Sequence, residues 1–228
     1  MAEHRQLRAA DGFAFDVYEA APADPKGAVV VIQEIFGVNA HIREVADGYA
    51  ADGYAALAPA LFDRVQRGVE LGYDADGMGR GRDLAFNGLA QEDALRDLQA
   101  TVEEAGKFGP VGVVGYCYGG LMTWLAACEL DGIACASAYY GGGIAGTLER
   151  APGEARLPKC PMVMHFGALD AHIPLSDVDR VKAALPDVPV HVYDADHGFN
   201  CDHRGSYHAE SAALARQRTL ALFAAHLA

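Results

Sequence analysis

Val111 to Leu121 reads V-G-V-V-G-Y-C-Y-G-G-L, and this stretch decides the fold. The β-branched run of Val111, Val113 and Val114 ends at Gly115, Cys117 stands at the centre of G-Y-C-Y-G, and an apolar helical pattern opens at Leu121 and runs to about Leu130. Strand, sharp turn and helix with a nucleophile-type residue at the tip is the layout of a nucleophile elbow, here with a thiol where serine is usual. The spacing has a mechanical reason. A strained turn pushes the tip side chain out of the sheet, and glycines two residues to either side remove the Cβ atoms that would collide there. A helix beginning at Gly119 aims backbone N–H groups and its positive dipole end at the sulfur. A buried cysteine in a glycine-rich turn has the same pattern, so the rest of the chain must decide between the two.

The 228 residues fit one large α/β domain, 1–228, with ordinary shares of hydrophobic (51%) and charged (21%) residues. No apolar run is long enough to span a membrane, and no leader-peptide pattern opens the chain. With 31 acidic against 18 basic residues the net charge is −13, which argues against a nucleic-acid surface. It leaves room for a small anion held by one or two arginines. The five cysteines, Cys117, Cys128, Cys135, Cys160 and Cys201, form no C-x-x-C pair. Reduced thiols and a cytoplasmic location are expected.

Outward from the elbow, apolar runs alternate with helical periodicity. Gln6 to Ala20 reads as a hairpin turning at Asp11-Gly12, and Ala28 to Ile32 as a strand buried on both faces. Asn39 is placed to cap a helix carrying Ile42, Val45, Ala46, Tyr49 and Ala50, which Gly53 closes before a strand at Tyr54 to Leu57. Phe62 to Gly81 reads as a long substrate-shaping excursion, and Asp83 to about Gly106 as one helix. Strands at Ile133 to Tyr140, Pro161 to Phe166 and Val188 to Tyr193 alternate with helices at Ser176 to Leu185 and Ser206 to Leu227. The pattern predicts a mostly parallel, doubly wound sheet with helices on both faces.

In such a sheet, reactive groups gather beyond the carboxyl ends of the strands. Glu34, Cys117, Asp170 and His197 all fall at such ends. Their order, nucleophile then acid then histidine, suits an imidazole that moves the proton and a carboxylate that fixes its tautomer. The amides of Ile35 and Tyr118 are the natural oxyanion-hole donors. Glu34 stands either as a structural dipole partner or, near Cys117, as an acceptor of the thiol proton.

Several stretches in order, Q-E-I-F-G-V-N at 33–39, G-Y-C-Y-G-G at 115–120, Tyr139-Tyr140-Gly141, G-A-L-D at 167–170 and H-G-F at 197–199, together resemble the dienelactone hydrolase family. The resemblance runs over nearly the whole chain. It implies an α/β-hydrolase fold without cofactor, and opening of lactone esters through a cysteine acyl-enzyme. Carried over, Cys117 is the nucleophile, His197 the base, Asp170 its orienter, and Glu34 the group that activates the thiol on substrate binding. The expected substrate wall comprises Phe36, Phe86, Tyr140, Phe199 and Arg204, with Arg80 or Arg82 for a substrate carboxylate. The family's second arginine lies a few residues past the histidine, where this chain has Asn200, Cys201, Asp202 and His203, with Arg204 shifted beyond them. Asp202 there would repel a carboxylate, and the departure predicts a weak second contact and little preference for a carboxylate-bearing lactone over its methyl ester. His197, Cys201, His203 and His208 match no common zinc spacing, so no metal is expected. G-M-G-R-G-R at 77–82 lacks the strand and the G-K-[ST] of a phosphate loop. Expected partners are a small lactone or ester, with no nucleic acid or membrane, in a monomer or small homo-oligomer. A non-catalytic binding protein on the same fold is the competing reading; it has no reason to keep all four reactive residues.

Overall fold

The computed structural model describes residues 2–150 and 157–227. Eight strands form one sheet: β1 (Ala2–Arg8), β2 (Ala14–Ala20), β3 (Ala28–Ile32), β4 (Ala55–Pro59), β5 (Val111–Tyr116), β6 (Ile133–Tyr139), β7 (Met162–Gly167) and β8 (Val190–Tyr193). Their spatial order is β1-β2-β4-β3-β5-β6-β7-β8. β2 pairs antiparallel with β1 and with β4, and all the other pairings are parallel. β3 and β5, buried at every position, sit side by side in the middle, as their unbroken apolar runs predict. The hairpin starts at Ala2, earlier than the Gln6 read from the sequence. β1 is an edge strand of mostly polar residues, so no apolar alternation marks its beginning.

The helices are α1 (Ala40–Ala51), α2 (Ala75–Asp83), α3 (Gln91–Ala105), α4 (Tyr118–Glu129), α5 (Ile144–Arg150), α6 (Leu175–Ala184) and α7 (Ala209–His226). They cover both faces of the sheet. On β5, Gly112 faces Phe223 and Leu227 at the end of the chain, whereas Gly115 on the other face meets Thr123 of α4. Asn39 caps α1 as expected, its Oδ1 accepting the Ile42 N–H at 3.2 Å.

Four stretches differ from the sequence reading. The 62–81 excursion contains α2, which Asp74 caps through a 2.7 Å bond to the Gly77 N–H. Its glycines hid it, yet they are what lets it sit close: a Cβ on Gly81 would lie 2.2 Å from the Ile35 carbonyl oxygen. The single helix expected over 83–106 is broken, because a π turn at Leu84–Gly88 hands over to extended Leu89 before α3 begins. α5 was not anticipated after the glycine run 141–143, and His208 is the N-cap of α7 rather than a residue one turn inside it.

Candidate active site

Cys117 closes β5 and caps α4 with φ 57° and ψ −114°, a conformation that costs a non-glycine residue about 1–3 kcal/mol. The surroundings hold it there. Its N–H bonds the Tyr139 carbonyl at 3.0 Å, and the turn is too tight for side chains on either flank. A Cβ on Gly115 would lie 2.1 Å from the Gly119 oxygen, and one on Gly119 would lie 2.3 Å from the Ile32 oxygen.

Asp170, in the turn after β7, is buried. Its Oδ1 accepts the N–H groups of His172 and Ile173 at 2.8 and 3.1 Å, while Oδ2 lies 2.7 Å from His197 Nδ1. Asp170 therefore serves the turn with one oxygen and meets His197 with the other. Burial pushes the His197 pKa down, but charge on the Cys117 sulfur and hydrogen bonds to Asp170 and Cys117 outweigh it and raise it to about 10. The three side chains foreseen from separate strand ends are thus brought together.

They stand at a cavity of about 460 Å³ whose wall includes Ile35, Phe36, Arg82, Phe86, Tyr118 and Arg204. Tyr118 is the first residue of α4, so its N–H has no intrahelical acceptor. The Ile35 N–H, in the loop after β3, also finds no acceptor among the described residues. Arg82 faces the cavity, whereas Arg80 turns to Gln66 on the exposed side of α2. Tyr140 and Phe199 do not line the cavity. Both are fully buried behind the histidine, with the Tyr140 ring 5.1 Å from that of His197 and 5.3 Å from that of Phe199. The Tyr140 N–H is held by the His165 carbonyl at 2.7 Å, which keeps this residue in the core. Met78, Thr147 and Arg150, which the sequence reading missed, also line the cavity; they lie on α2 and α5, the two unforeseen helices.

Arg204 reaches the wall despite its shifted position. Two consecutive turns, Cys201 N–H to Gly198 O at 2.9 Å and Arg204 N–H to Cys201 O at 3.1 Å, fold the segment back on itself. Gly198, at φ +76°, makes the crossing possible, since a Cβ there would lie 2.5 Å from Arg204 Nη1. The guanidinium stacks 5.8 and 5.7 Å from the ring centres of Phe36 and Tyr73, with Nη1 3.5 Å from Glu34 Oε1. Asp202, expected to repel a substrate carboxylate, points elsewhere, with Oδ1 3.3 Å from His41 Nδ1. Glu34 is fully buried. Tyr73 donates to its Oε2 at 3.4 Å, and Oε1 has no hydrogen-bond partner. The four residues weighed as a zinc set are dispersed. His197 is on Asp170, His203 on Glu44 at 2.8 Å and His208 on Ser211 at 2.7 Å, with Cys201 buried beside Glu34.

No helix among the described residues is long and apolar enough to cross a membrane. The profile of the dienelactone hydrolase family matches residues 15–227. A Synechocystis protein described as a candidate carboxymethylenebutenolidase is 38% identical over 216 residues, 87% of this chain and 86% of that protein. The carboxymethylenebutenolidase of a Pseudomonas species is 35% identical over 230 residues, covering 96% of this chain and 94% of its own length. Among solved structures, a Klebsiella pneumoniae protein described as a candidate dienelactone hydrolase superposes with a TM-score of 0.79 at 31% identity, over 98% of this chain and 99% of that one. The chain has the α/β-hydrolase fold and belongs to the dienelactone hydrolase family of lactone and ester hydrolases.

Proposed function

We propose that this protein opens lactones and activated esters through an acyl-enzyme on Cys117. The observation that carries the reading is the convergence of Cys117, His197 and Asp170 at one cavity, with two backbone N–H groups free beside them. The Cys117 thiolate attacks the carbonyl carbon, and the developing oxyanion takes the N–H groups of Ile35 and Tyr118. As the C–O bond breaks, the His197 imidazolium gives its proton to the leaving alkoxide, which in a lactone stays tethered to the acyl group. Water then attacks the thioester, His197 accepts its proton, and the free carboxylic acid departs while Asp170 holds the imidazole in one tautomer.

Arg82, Arg150 and Arg204, three cations that line the cavity, favour a substrate bearing a carboxylate. Arg204 stands beside Glu34 in the resting protein. A substrate anion that draws Arg204 away removes the cation beside Glu34 and leaves that buried carboxylate uncompensated. The expectation of little acid preference rested on Asp202 and on the lack of an arginine close behind His197; Arg204 in the cavity lining and Asp202 turned to His41 support the opposite reading. The test is kcat/KM for a carboxylate-bearing dienelactone against its neutral methyl ester. A preference of tenfold or more for the acid supports the anion site; equal values remove it and leave a neutral-ester hydrolase.

A further inference from the structure

Away from the Cys117 cavity, a second hollow of about 270 Å³ lies between α1, the 200–207 loop and the start of α7. His41, Glu44 and Asp202 are in its wall, and His203 stands beside them. His203 Nε2 is 2.8 Å from Glu44 Oε2 and 4.0 Å from Asp202 Oδ1, while His41 Nδ1 is 3.3 Å from Asp202 Oδ1. One donor atom from each of the four lies within 4.8 Å of all the others. His41 and Glu44 are one helical turn apart on α1, so they share a face, and Asp202-His203 is presented to that face by the loop.

His41 singles this cluster out from an ordinary surface group of charges. Its ring is 3% exposed and faces the hollow, and neither ring nitrogen has a hydrogen-bond partner. Buried imidazole nitrogens without partners are rare in native proteins, because the polar atom has given up water for nothing. Here the ring lies beside two carboxylates and a second imidazole.

We propose that His41, Glu44, Asp202 and His203 form a binding site for one divalent transition-metal ion, with Zn²⁺ the best match. Two imidazoles and two carboxylates complete a four-coordinate zinc shell, whereas Ca²⁺ and Mg²⁺ call for oxygen throughout. His41 supplies the fixed ligand, and the three more exposed side chains can close on an ion with small rotations. A neighbouring set, Glu34, His41 and Cys201, meets the same distance limit. It is fully buried and already faces the Arg204 guanidinium across 3.5 Å, so a dication there would meet a cation. In the outer site the ion ties α1 to the segment just ahead of Arg204 and a few residues past His197, and steadies the loop that carries both. The sequence offered no sign of such a site, because Glu44 and His203 are 159 positions apart in the chain and no local spacing reveals the pair.

The test is a calorimetric titration of chelator-stripped protein with ZnCl₂, in the full-length Cys117→Ala chain so that the reactive thiol does not compete for the ion. The expected result is one saturable site per chain in the micromolar range or tighter. It should weaken at least about tenfold in both His203→Ala and Glu44→Gln added to that background, and stay unchanged in the exposed control His226→Ala. Both diagnostic positions are surface-accessible, so thermal unfolding of the stripped variants should match that of their parent, which separates lost binding from lost folding. His41→Asn provides a third variant if it folds. Absence of saturable binding, or binding that survives both His203→Ala and Glu44→Gln, overturns the proposal.

Discussion

Asp170 shows how one residue serves turn and site together. Oδ1 is committed to the His172 and Ile173 amides and Oδ2 to His197. Asp170→Asn keeps an oxygen for the turn but can present an N–H₂ to the imidazole and reverse its tautomer. It should lower kcat by roughly 10²–10⁴-fold with little change in Tm. Asp170→Ala removes both contacts and should lower Tm as well, so steady-state kinetics and thermal melts on the pair separate the two roles. The reactive residues were legible in the sequence because each follows its own strand, and strand ends are where a parallel sheet gathers chemistry. Arg204 was named from the sequence, but how it reaches the cavity wall was not legible. Spacing counts along the chain, whereas two back-to-back turns return this residue over Gly198. Tyr140 and Phe199 misled in the opposite sense: they adjoin His197 in space, but from behind, in the core.

At the scale of elements, α2, α5 and the Gly198–Arg204 loop bring Arg82, Arg150 and Arg204 to the cavity. Neighbouring side chains on a helix diverge, which is why Arg82 meets the cavity and Arg80 meets Gln66. Arg82→Ala and Arg204→Ala should each reduce kcat/KM for an anionic lactone about tenfold or more, equivalent to about 1.5–3 kcal/mol per charged contact. Arg80→Ala should leave it unchanged, and neutral esters should be indifferent to all three. Gly198→Ala tests the loop itself. A side chain at φ +76° and 2.5 Å from the guanidinium should cost about 1–2 kcal/mol of stability and displace Arg204. Discrimination between acid and methyl ester should then fall even though both arginines remain. The helix α2 escaped the sequence reading for the reason it fits: its three glycines lower helix propensity while allowing contact with the Ile35 loop.

Across the whole molecule, the sheet order places β3 and β5 together, so the amides of Ile35 and Tyr118 and the Cys117 sulfur come from adjacent strand ends. The buried charge cluster built there leaves a signature in global stability. The charged Cys117 sulfur and the hydrogen bonds to Asp170 and Cys117 outweigh burial and raise the His197 pKa in the folded chain to about 10, from an ordinary value of 6.5. The stabilising contribution of His197 is therefore whole below about pH 6.5 and is lost as the pH rises to about 10. The Tm difference between wild type and His197→Gln should narrow across that interval, and a gap that widens with pH would contradict the assignment. The acyl-enzyme itself is open to direct observation. Quenching the enzyme during turnover of p-nitrophenyl acetate, with mass spectrometry of the digested protein, should find one acetyl group on the peptide containing Cys117. The adduct should be absent in Cys117→Ala, which should also lose turnover, while Cys128→Ala, Cys135→Ala and Cys160→Ala keep both. Full turnover by Cys117→Ala, or an acyl group carried on any other residue, would contradict the account.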